Sequence, residues 1–69
     1  MTQTEMILRY MQDNGSITPV DAMREFGCMR LGARIWDLKR EGHAIVTERE
    51  THKNRYGDKI SYARYKVVQ

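Results

Sequence analysis

Hydrophobic residues recur most regularly between Met29 and Glu41, where Leu31, Ile35 and Leu38 are spaced by four and then three positions. Apolar side chains at this spacing lie on one face of an α-helix. We therefore predict a helix over residues 29–41 that buries these three side chains. With about 100° of rotation per residue, the opposite face of this helix carries Met29, Ala33, Trp36 and Arg40.

A capping box predicts an earlier helix near the start of the chain. Thr2 and Glu5 have the S/T-x-x-E spacing in which each side chain bonds to the backbone of the other residue. The turn-forming residues 13–16 (Asp-Asn-Gly-Ser) are expected to end this helix. The side chains predicted to enter the core are Ile7, Leu8 and Met11.

A second helix is predicted to begin after Thr18. Threonine is a favoured N-cap residue, and Pro19 suits the first helical position because its missing N–H needs no partner there. Gly27 is expected to end the helix after about two turns. The side chains predicted to be buried are Ala22, Met23 and Phe26.

Alternating residues in the last third of the chain predict a β-hairpin. The first strand is expected over residues 44–51 and the second over residues 60–68, with a turn-rich, basic connection over residues 52–59. In the second strand the predicted inward-facing side chains are Ala63, Tyr65 and Val67, and the outward-facing ones are Tyr62, Arg64 and Lys66.

This order of elements predicts an α+β fold, three helices followed by a C-terminal two-stranded β-hairpin, which is the arrangement of a winged helix-turn-helix. We expect residues 1–69 to form a single domain, because the sequence contains no linker, repeat or low-complexity segment. A chain of this size buries only about 60 % of its unfolded surface. Its core therefore leaves little room for an enclosed active site.

The net charge of +3 is distributed unevenly along the chain. Residues 1–29 contain two basic and four acidic side chains, a net charge of −2, whereas residues 30–69 contain ten basic and five acidic ones, a net charge of +5. The cationic half coincides with the predicted third helix and hairpin, and one-sided positive charge is typical of proteins that meet a polyanion. The alternative is that small domains are often basic without binding nucleic acid.

The sequence lacks the motifs of several classes of functional site. The chain has no glycine-rich phosphate loop, no plausible Ser/His/Asp set and no paired carboxylates, so we expect no enzymatic activity. His43 and His52 have no cysteine or carboxylate at ligand spacing, so neither a metal nor another cofactor is expected. Cys28 cannot form an internal disulfide, because it is the single cysteine, and is expected to point inward.

Signals for membrane insertion or export are also missing from the sequence. No apolar run approaches the roughly 20 residues that span a bilayer, and no signal-peptide pattern is present. We therefore expect a cytoplasmic protein without a membrane partner.

Three stretches carry a resemblance to a known family: I-T-P-V-D-A (17–22), F-G-C (26–28) and R-L-G-A-R-I-W-D-L-K-R-E-G (30–42). They closely resemble small winged helix-turn-helix proteins of a type common in bacteriophages and prophages. There the second helix opens with a similar Thr-Pro, and the third carries a similar Arg-Leu-x-x-Arg-Ile-x-x-Leu followed by glycine. The likeness extends from about Glu5 to Tyr65. Trp36 and the acidic Asp37 and Glu41 depart from an average member.

The resemblance implies binding to double-stranded DNA, with the third helix in the major groove and the hairpin, or wing, near the backbone or minor groove. Arg30 and Arg34 fall on the two arginines of the family pattern. With the charge distribution, this predicts a DNA-binding set on helix 29–41 and wing 52–59. Its members are Met29, Arg30, Ala33, Arg34, Trp36, Arg40, Lys53, Arg55, Tyr56 and Lys59.

Some of these side chains also suit a role within the protein itself. Arg34 is equally well placed for an ion pair with Asp37 three residues later. Trp36 is expected to be partly buried against the hairpin. The cations of residues 52–59 would also suit a solvated loop.

The sequence thus predicts a small phage or prophage regulatory protein that binds specific sequences of double-stranded DNA. The alternative is a winged-helix protein-binding module that inhibits or recruits a host protein, because an exposed Met29 and Trp36 would suit a protein interface. A homodimer is left open.

Overall fold

Three helices precede two strands in the computed structural model, which describes residues 1–68. The elements are α1 (Gln3–Asn14), α2 (Pro19–Phe26), α3 (Leu31–Arg40), β1 (Ile45–Lys53) and β2 (Lys59–Val67). The predicted α+β arrangement, three helices and then an antiparallel hairpin, is therefore confirmed.

Capping boxes begin both α1 and α2. The hydroxyl of Thr2 accepts a hydrogen bond from the backbone N–H of Glu5, and the Glu5 carboxylate accepts one from the backbone N–H of Thr2, each at 3.2 Å. Thr18 and Asp21 make the same exchange at 3.2 and 3.1 Å. These bonds satisfy N–H groups that have no partner within the helix. Both predicted helix starts are confirmed.

The core lies where the three helices meet the base of the hairpin. Leu31, Ile35 and Leu38 are all buried, so the predicted inner face of α3 is correct. The other buried apolar side chains are Ile7, Met11, Ile17, Ala22, Cys28 and Ile45. Leu8 and Phe26 are partly buried against this cluster, as are Tyr65 and Val67.

The prediction that Met23 is buried is wrong, because its side chain is 48 % exposed. Helix α2 has only eight residues and contacts its neighbours along a narrow stripe. Ala22 and Phe26, four residues apart, occupy that stripe. Met23 lies about 100° around the helix from Ala22 and faces away.

Helix α3 is shorter than predicted at its N-terminal end. Arg30 occupies the N-cap position in a non-helical conformation, so Met29 lies in the turn between α2 and α3 rather than on the face of α3. The reason is the end of α2, where Gly27 adopts a left-handed conformation with φ of 64°. The N–H of Cys28 then donates to the carbonyl of Ala22 at 3.1 Å, which holds the chain in a turn.

The hairpin pairs more residues than the sequence suggested. The register runs from Ile45 opposite Val67 to Lys53 opposite Lys59, so the turn shrinks to residues 54–58. The carboxamide oxygen of Asn54 accepts hydrogen bonds from two backbone N–H groups inside the turn, at 2.9 and 3.0 Å. This local closure lets the strands pair up to the turn.

Only the base of the hairpin packs against the helices. Ile45 is the one buried residue of β1, and every residue from 51 to 61 is exposed. Tyr65 and Val67 face the core as predicted, while Ala63 is half-buried. Arg64 lies on the predicted outer side of β2, but it is half-buried there because its guanidinium bonds to Ser16 and Glu50. The dimensions of 40 × 23 × 20 Å reflect this projecting ribbon.

Candidate nucleic-acid interface

The outer face of α3 is centred on Trp36. Around the helix, Gly32, Lys39 and Arg40 are also exposed, and Ala33, Arg34 and Asp37 are half-buried. Lys39 was not among the predicted contact residues, because the predicted outer face consisted of Met29, Ala33, Trp36 and Arg40. The signal was present: Gly32 and Lys39 lie four residues before and three after Trp36, on the same face.

Asp37 connects two arginines of this face. One carboxylate oxygen lies 3.4 Å from the Nη2 of Arg34, and the other lies 3.2 Å from the Nη2 of Arg40. The ion pair between Arg34 and Asp37, which the sequence offered as an alternative to DNA contact, is therefore formed. The Nε of Arg34 is buried and makes no hydrogen bond within the described part of the chain.

Trp36 is 58 % exposed, so the expectation of partial burial against the hairpin is wrong. Its ring instead contacts Arg40, whose guanidinium carbon lies 4.3 Å from the ring centroid. This is a cation–π contact between residues one helical turn apart. Asp37 and Trp36 thus hold Arg40 from two sides, which leaves the remaining surface of the Trp36 ring open to a partner.

Two cations at the ends of α3 have no ion-pair partner within residues 1–68. Arg30, at the N-cap, and Lys39, in the last turn, are exposed and form no ion pair among the residues that the structure describes. They differ in this from Arg34 and Arg40, which share Asp37. The free positive charge of the outer face therefore lies at its two ends, with Trp36 between them.

The register divides the hairpin into two faces, because residues directly opposite each other share a face and successive residues alternate. We call the face that contains Ile45 and Val67 the core-side face and the other the outer face. Beyond the packed base, the core-side face carries the pairs Arg49–Ala63, Thr51–Ser61 and Lys53–Lys59. The outer face carries Val46–Lys66, Glu48–Arg64, Glu50–Tyr62 and His52–Ile60.

Ion pairing differs between these two faces. On the outer face, Lys66 lies 3.1 Å from a carboxylate oxygen of Glu48, and Arg64 bonds to Glu50. On the core-side face, Arg49, Lys53 and Lys59 have no carboxylate within 4.0 Å in residues 1–68. Within residues 1–68, the unpaired positive charge of the two strands therefore lies on the core-side face.

Arg49 was missing from the predicted site. The predicted wing contacts came only from the expected connection, residues 52–59, and Arg49 lies in the strand before it. Arg49 and Lys53 are four residues apart and lie on the same face of β1. They do so only because the strand continues to residue 53. The tip residues Arg55 and Tyr56 are exposed as expected, Tyr56 to 82 %.

Residues 2–69 match the family model described as a winged helix-turn-helix domain. The chain belongs to this family. No curated protein and no solved structure matches the chain. In a winged helix-turn-helix, α2 and α3 form the helix-turn-helix with α3 as the recognition helix, and the hairpin is the wing. The fold is in general a DNA-binding one and is typically not enzymatic.

Arg64 connects the wing to the segment before α2 through hydrogen bonds of its guanidinium group. Its Nη1 donates a 2.8 Å hydrogen bond to the hydroxyl of Ser16, between α1 and α2, while its Nε donates to Glu50 on the wing. The Arg64 guanidinium lowers the pKa of Glu50, with further hydrogen bonds from His52 and Tyr62, and the carboxylate raises the pKa of Arg64. The His52 and Tyr62 rings also stack, with centroids 5.6 Å apart.

Residues 1–68 contain neither a cluster of metal-ligating side chains nor a membrane-spanning helix. Within that range, no three histidine, cysteine or acidic side chains come together in a way that could hold a metal ion. In the same range no helix has the length and apolar character needed to cross a membrane. Cys28 is buried with a free thiol, which agrees with its predicted inward orientation.

Proposed function

We propose that this winged helix-turn-helix protein binds specific sequences of double-stranded DNA and acts as a small phage- or prophage-type regulatory protein. The observation that supports this best is the position of the cations that have no ion-pair partner within residues 1–68. Arg30 and Lys39 are at the two ends of the recognition helix, Arg49, Lys53 and Lys59 are on one face of the wing, and Arg55 is in its turn. Unpaired cations can each neutralise a phosphate without first breaking an ion pair in the protein.

The recognition helix is proposed to enter the major groove. With ten residues it is about 15 Å long, and the major groove, about 12 Å wide, admits an α-helix. In this arrangement Arg30, at the N-terminal end, is placed to reach a base edge or phosphate, since the first residues of a recognition helix are those that contact bases. The proposed contact residues in and before this helix are Met29, Arg30, Ala33, Arg34, Trp36, Lys39 and Arg40.

The wing is proposed to contact the DNA backbone. Arg49 and Lys53 are four residues apart on β1, which corresponds to about 13 Å along an extended strand. Lys59 pairs with Lys53 across the ribbon, and Arg55 and Tyr56 occupy the tip. Long, exposed cations on a projecting ribbon are better suited to phosphates than to a fixed base geometry, so these contacts would position the protein rather than select a sequence.

Selection from a random DNA library is the experiment that tests this function most informatively. The protein is incubated with a pool of random duplexes, and bound molecules are amplified and sequenced over several rounds. A sequence-specific DNA-binding protein enriches a common motif, and a palindromic motif with half-sites about one helical turn apart would indicate a dimer. A pool that remains random after several rounds would contradict sequence-specific binding.

A protein-binding role is the second candidate, and one observation favours it. Met29 and Trp36 are both large, apolar and exposed, Met29 to 80 %, which suits an interface with a host protein that this module would inhibit or recruit. DNA binding remains the first proposal because Met29 and Trp36 are flanked by the free cations Arg30 and Lys39. A DNA-binding regulator of this kind would act in the cytoplasm, as the sequence led us to expect.

A further inference from the structure

The centre of the recognition helix presents apolar surface where an arginine or lysine would otherwise read a base. Gly32 has no side chain, Ala33 has one methyl group, and Trp36 is 58 % exposed, with Arg40 against one part of its ring. In the major groove the apolar feature of a base pair is the C5-methyl group of thymine, which Ala, Phe and the methyl of Thr are known to contact. Gly32 and Ala33 add little bulk beside Trp36, and a Cβ at Gly32 would lie 3.9 Å from the Tyr65 hydroxyl of the wing.

The arginines nearest to this centre are poorly placed to read guanine. A guanine contact requires two N–H groups of one side chain to reach O6 and N7 together. The guanidinium groups of Arg34 and Arg40 are both engaged by Asp37, and Arg40 also lies against Trp36. The Asp37 carboxylate would in addition repel the two acceptor atoms of guanine, whereas adenine offers it an N–H donor at N6.

We propose that Trp36 is the specificity-determining residue of the recognition helix and that it selects a thymine by contact with its C5-methyl group. Arg30 and Lys39 flank it and hold the helix in the groove. This inference rests on the proposed DNA binding and goes further, because it names the base that the centre of the helix selects. It also gives the exposed tryptophan a role that does not require a protein partner.

Replacement of thymine by uracil tests the inference, because uracil keeps the base pairing and lacks only the methyl group. Each thymine of the selected motif is replaced in turn, and affinity is measured by fluorescence anisotropy at fixed salt. For the unaltered protein, uracil at one or two central positions should weaken binding about fourfold, the factor expected from one buried methyl group. Uracil outside those positions should have little effect.

Variants of the protein assign the effect to Trp36. W36A should bind the thymine and uracil duplexes equally, while W36F, which keeps an aromatic ring, should retain part of the preference. Y56A is the matched control, because it removes another exposed aromatic side chain, which is proposed to contact the backbone from the wing tip. Its overall affinity is expected to fall, but the ratio of its affinities for the thymine and uracil duplexes should equal that of the unaltered protein. Thermal melting of all three variants verifies that they remain folded.

The outcomes separate this inference from the proposed function. A protein that enriches a motif but is indifferent to uracil at every thymine, or whose W36A variant keeps the full preference, would overturn the role of Trp36 and leave DNA binding intact. A selected motif without thymine at its centre would do the same. A protein that binds no duplex would overturn both.

Discussion

The backbones of Ile17 and Tyr65 exchange two hydrogen bonds of 2.9 Å each, Ile17 N–H to the Tyr65 carbonyl and the reverse. This bridge joins the start of the helix-turn-helix to the second strand of the wing. Because Arg64 also bonds to Ser16, two adjacent residues of β2 are attached to the chain just before α2. The wing and the recognition helix therefore have a fixed spacing, as the proposed contact of both with one duplex requires.

The first prediction concerns the buried face of α3. Ile35 is almost fully buried, so I35A should lower the free energy of unfolding by about 2–5 kcal/mol, a large part of the stability of so small a domain. Chemical denaturation measures this loss. K39A is the control, because Lys39 is exposed on the same helix and its removal should change stability by no more than about 0.5 kcal/mol. Equal losses in the two variants would mean that the inner face of α3 is wrongly assigned.

A second prediction concerns the capping box of α2. The Thr18 hydroxyl is buried and supplies the cap of a helix of only eight residues, so T18A should cost about 1–2 kcal/mol of stability. T18S keeps the hydroxyl and should recover most of that loss. The comparison is made by urea denaturation. If T18S were as unstable as T18A, the effect would come from the lost methyl group rather than from the cap.

The third prediction concerns stability in acid. Arg64, with His52 and Tyr62, lowers the pKa of Glu50 in the folded protein, so the ionised carboxylate stabilises the fold above its unfolded pKa of about 4.3. This contribution is lost as the pH falls from that value through the lower folded pKa. In the E50Q variant, the melting temperature should therefore decrease less over this pH interval than it does in the unaltered protein. In an R64Q background, which lacks the main cause of the shift, the added E50Q change should have much less effect.

Local sequence signals were sufficient to predict most of the fold. The capping residues Thr2 and Thr18 and the spacing of Leu31, Ile35 and Leu38 act within one or two helical turns, so they can be recognised without knowledge of the tertiary structure. The start of α3 could not be predicted in this way, because it depends on hydrogen bonds made by the residues after Gly27 at the end of α2.

The candidate site was less predictable from the sequence. Arg49 joins Lys53 and Lys59 only through the register of the two strands, which the sequence leaves undetermined until the turn is known. The sequence offered the ion pair between Arg34 and Asp37 as an alternative, but not the second pair, which Asp37 makes with Arg40. Periodicity placed Met29 and Trp36 on the outer face of the helix, but Trp36 is more exposed than expected and Met29 precedes the helix.

A fourth prediction concerns Asp37 as a positioning residue. D37N removes a negative charge next to the proposed DNA surface and releases Arg34 and Arg40. Affinity for random duplex should therefore rise, while the ratio of specific to random affinity should fall because freed arginines can bind any phosphate. Anisotropy titrations with both duplexes measure the ratio. D58N is the control, since it removes an equal charge from the wing turn. If D37N and D58N gave the same ratio, Asp37 would have no positioning role.

The charge on the core-side face of the wing gives the fifth prediction. The triple substitution of Arg49, Lys53 and Lys59 by Ala should lower the affinities for specific and for random duplexes by similar factors. The reason is that phosphate contacts carry no sequence information. K66A is the matched control on the outer face, where the lysine is already paired with Glu48. It should change either affinity much less than the triple substitution does.

The dependence of DNA affinity on salt concentration tests the central claim most directly. For the unaltered protein, the logarithm of affinity should fall linearly with the logarithm of salt concentration, with a slope of about −0.9 for each phosphate neutralised. The triple wing variant should have a slope shallower by up to about 3 units if all three cations contact phosphates. Absence of duplex binding at low salt, or an affinity that does not change with salt, would contradict DNA binding by this winged helix-turn-helix.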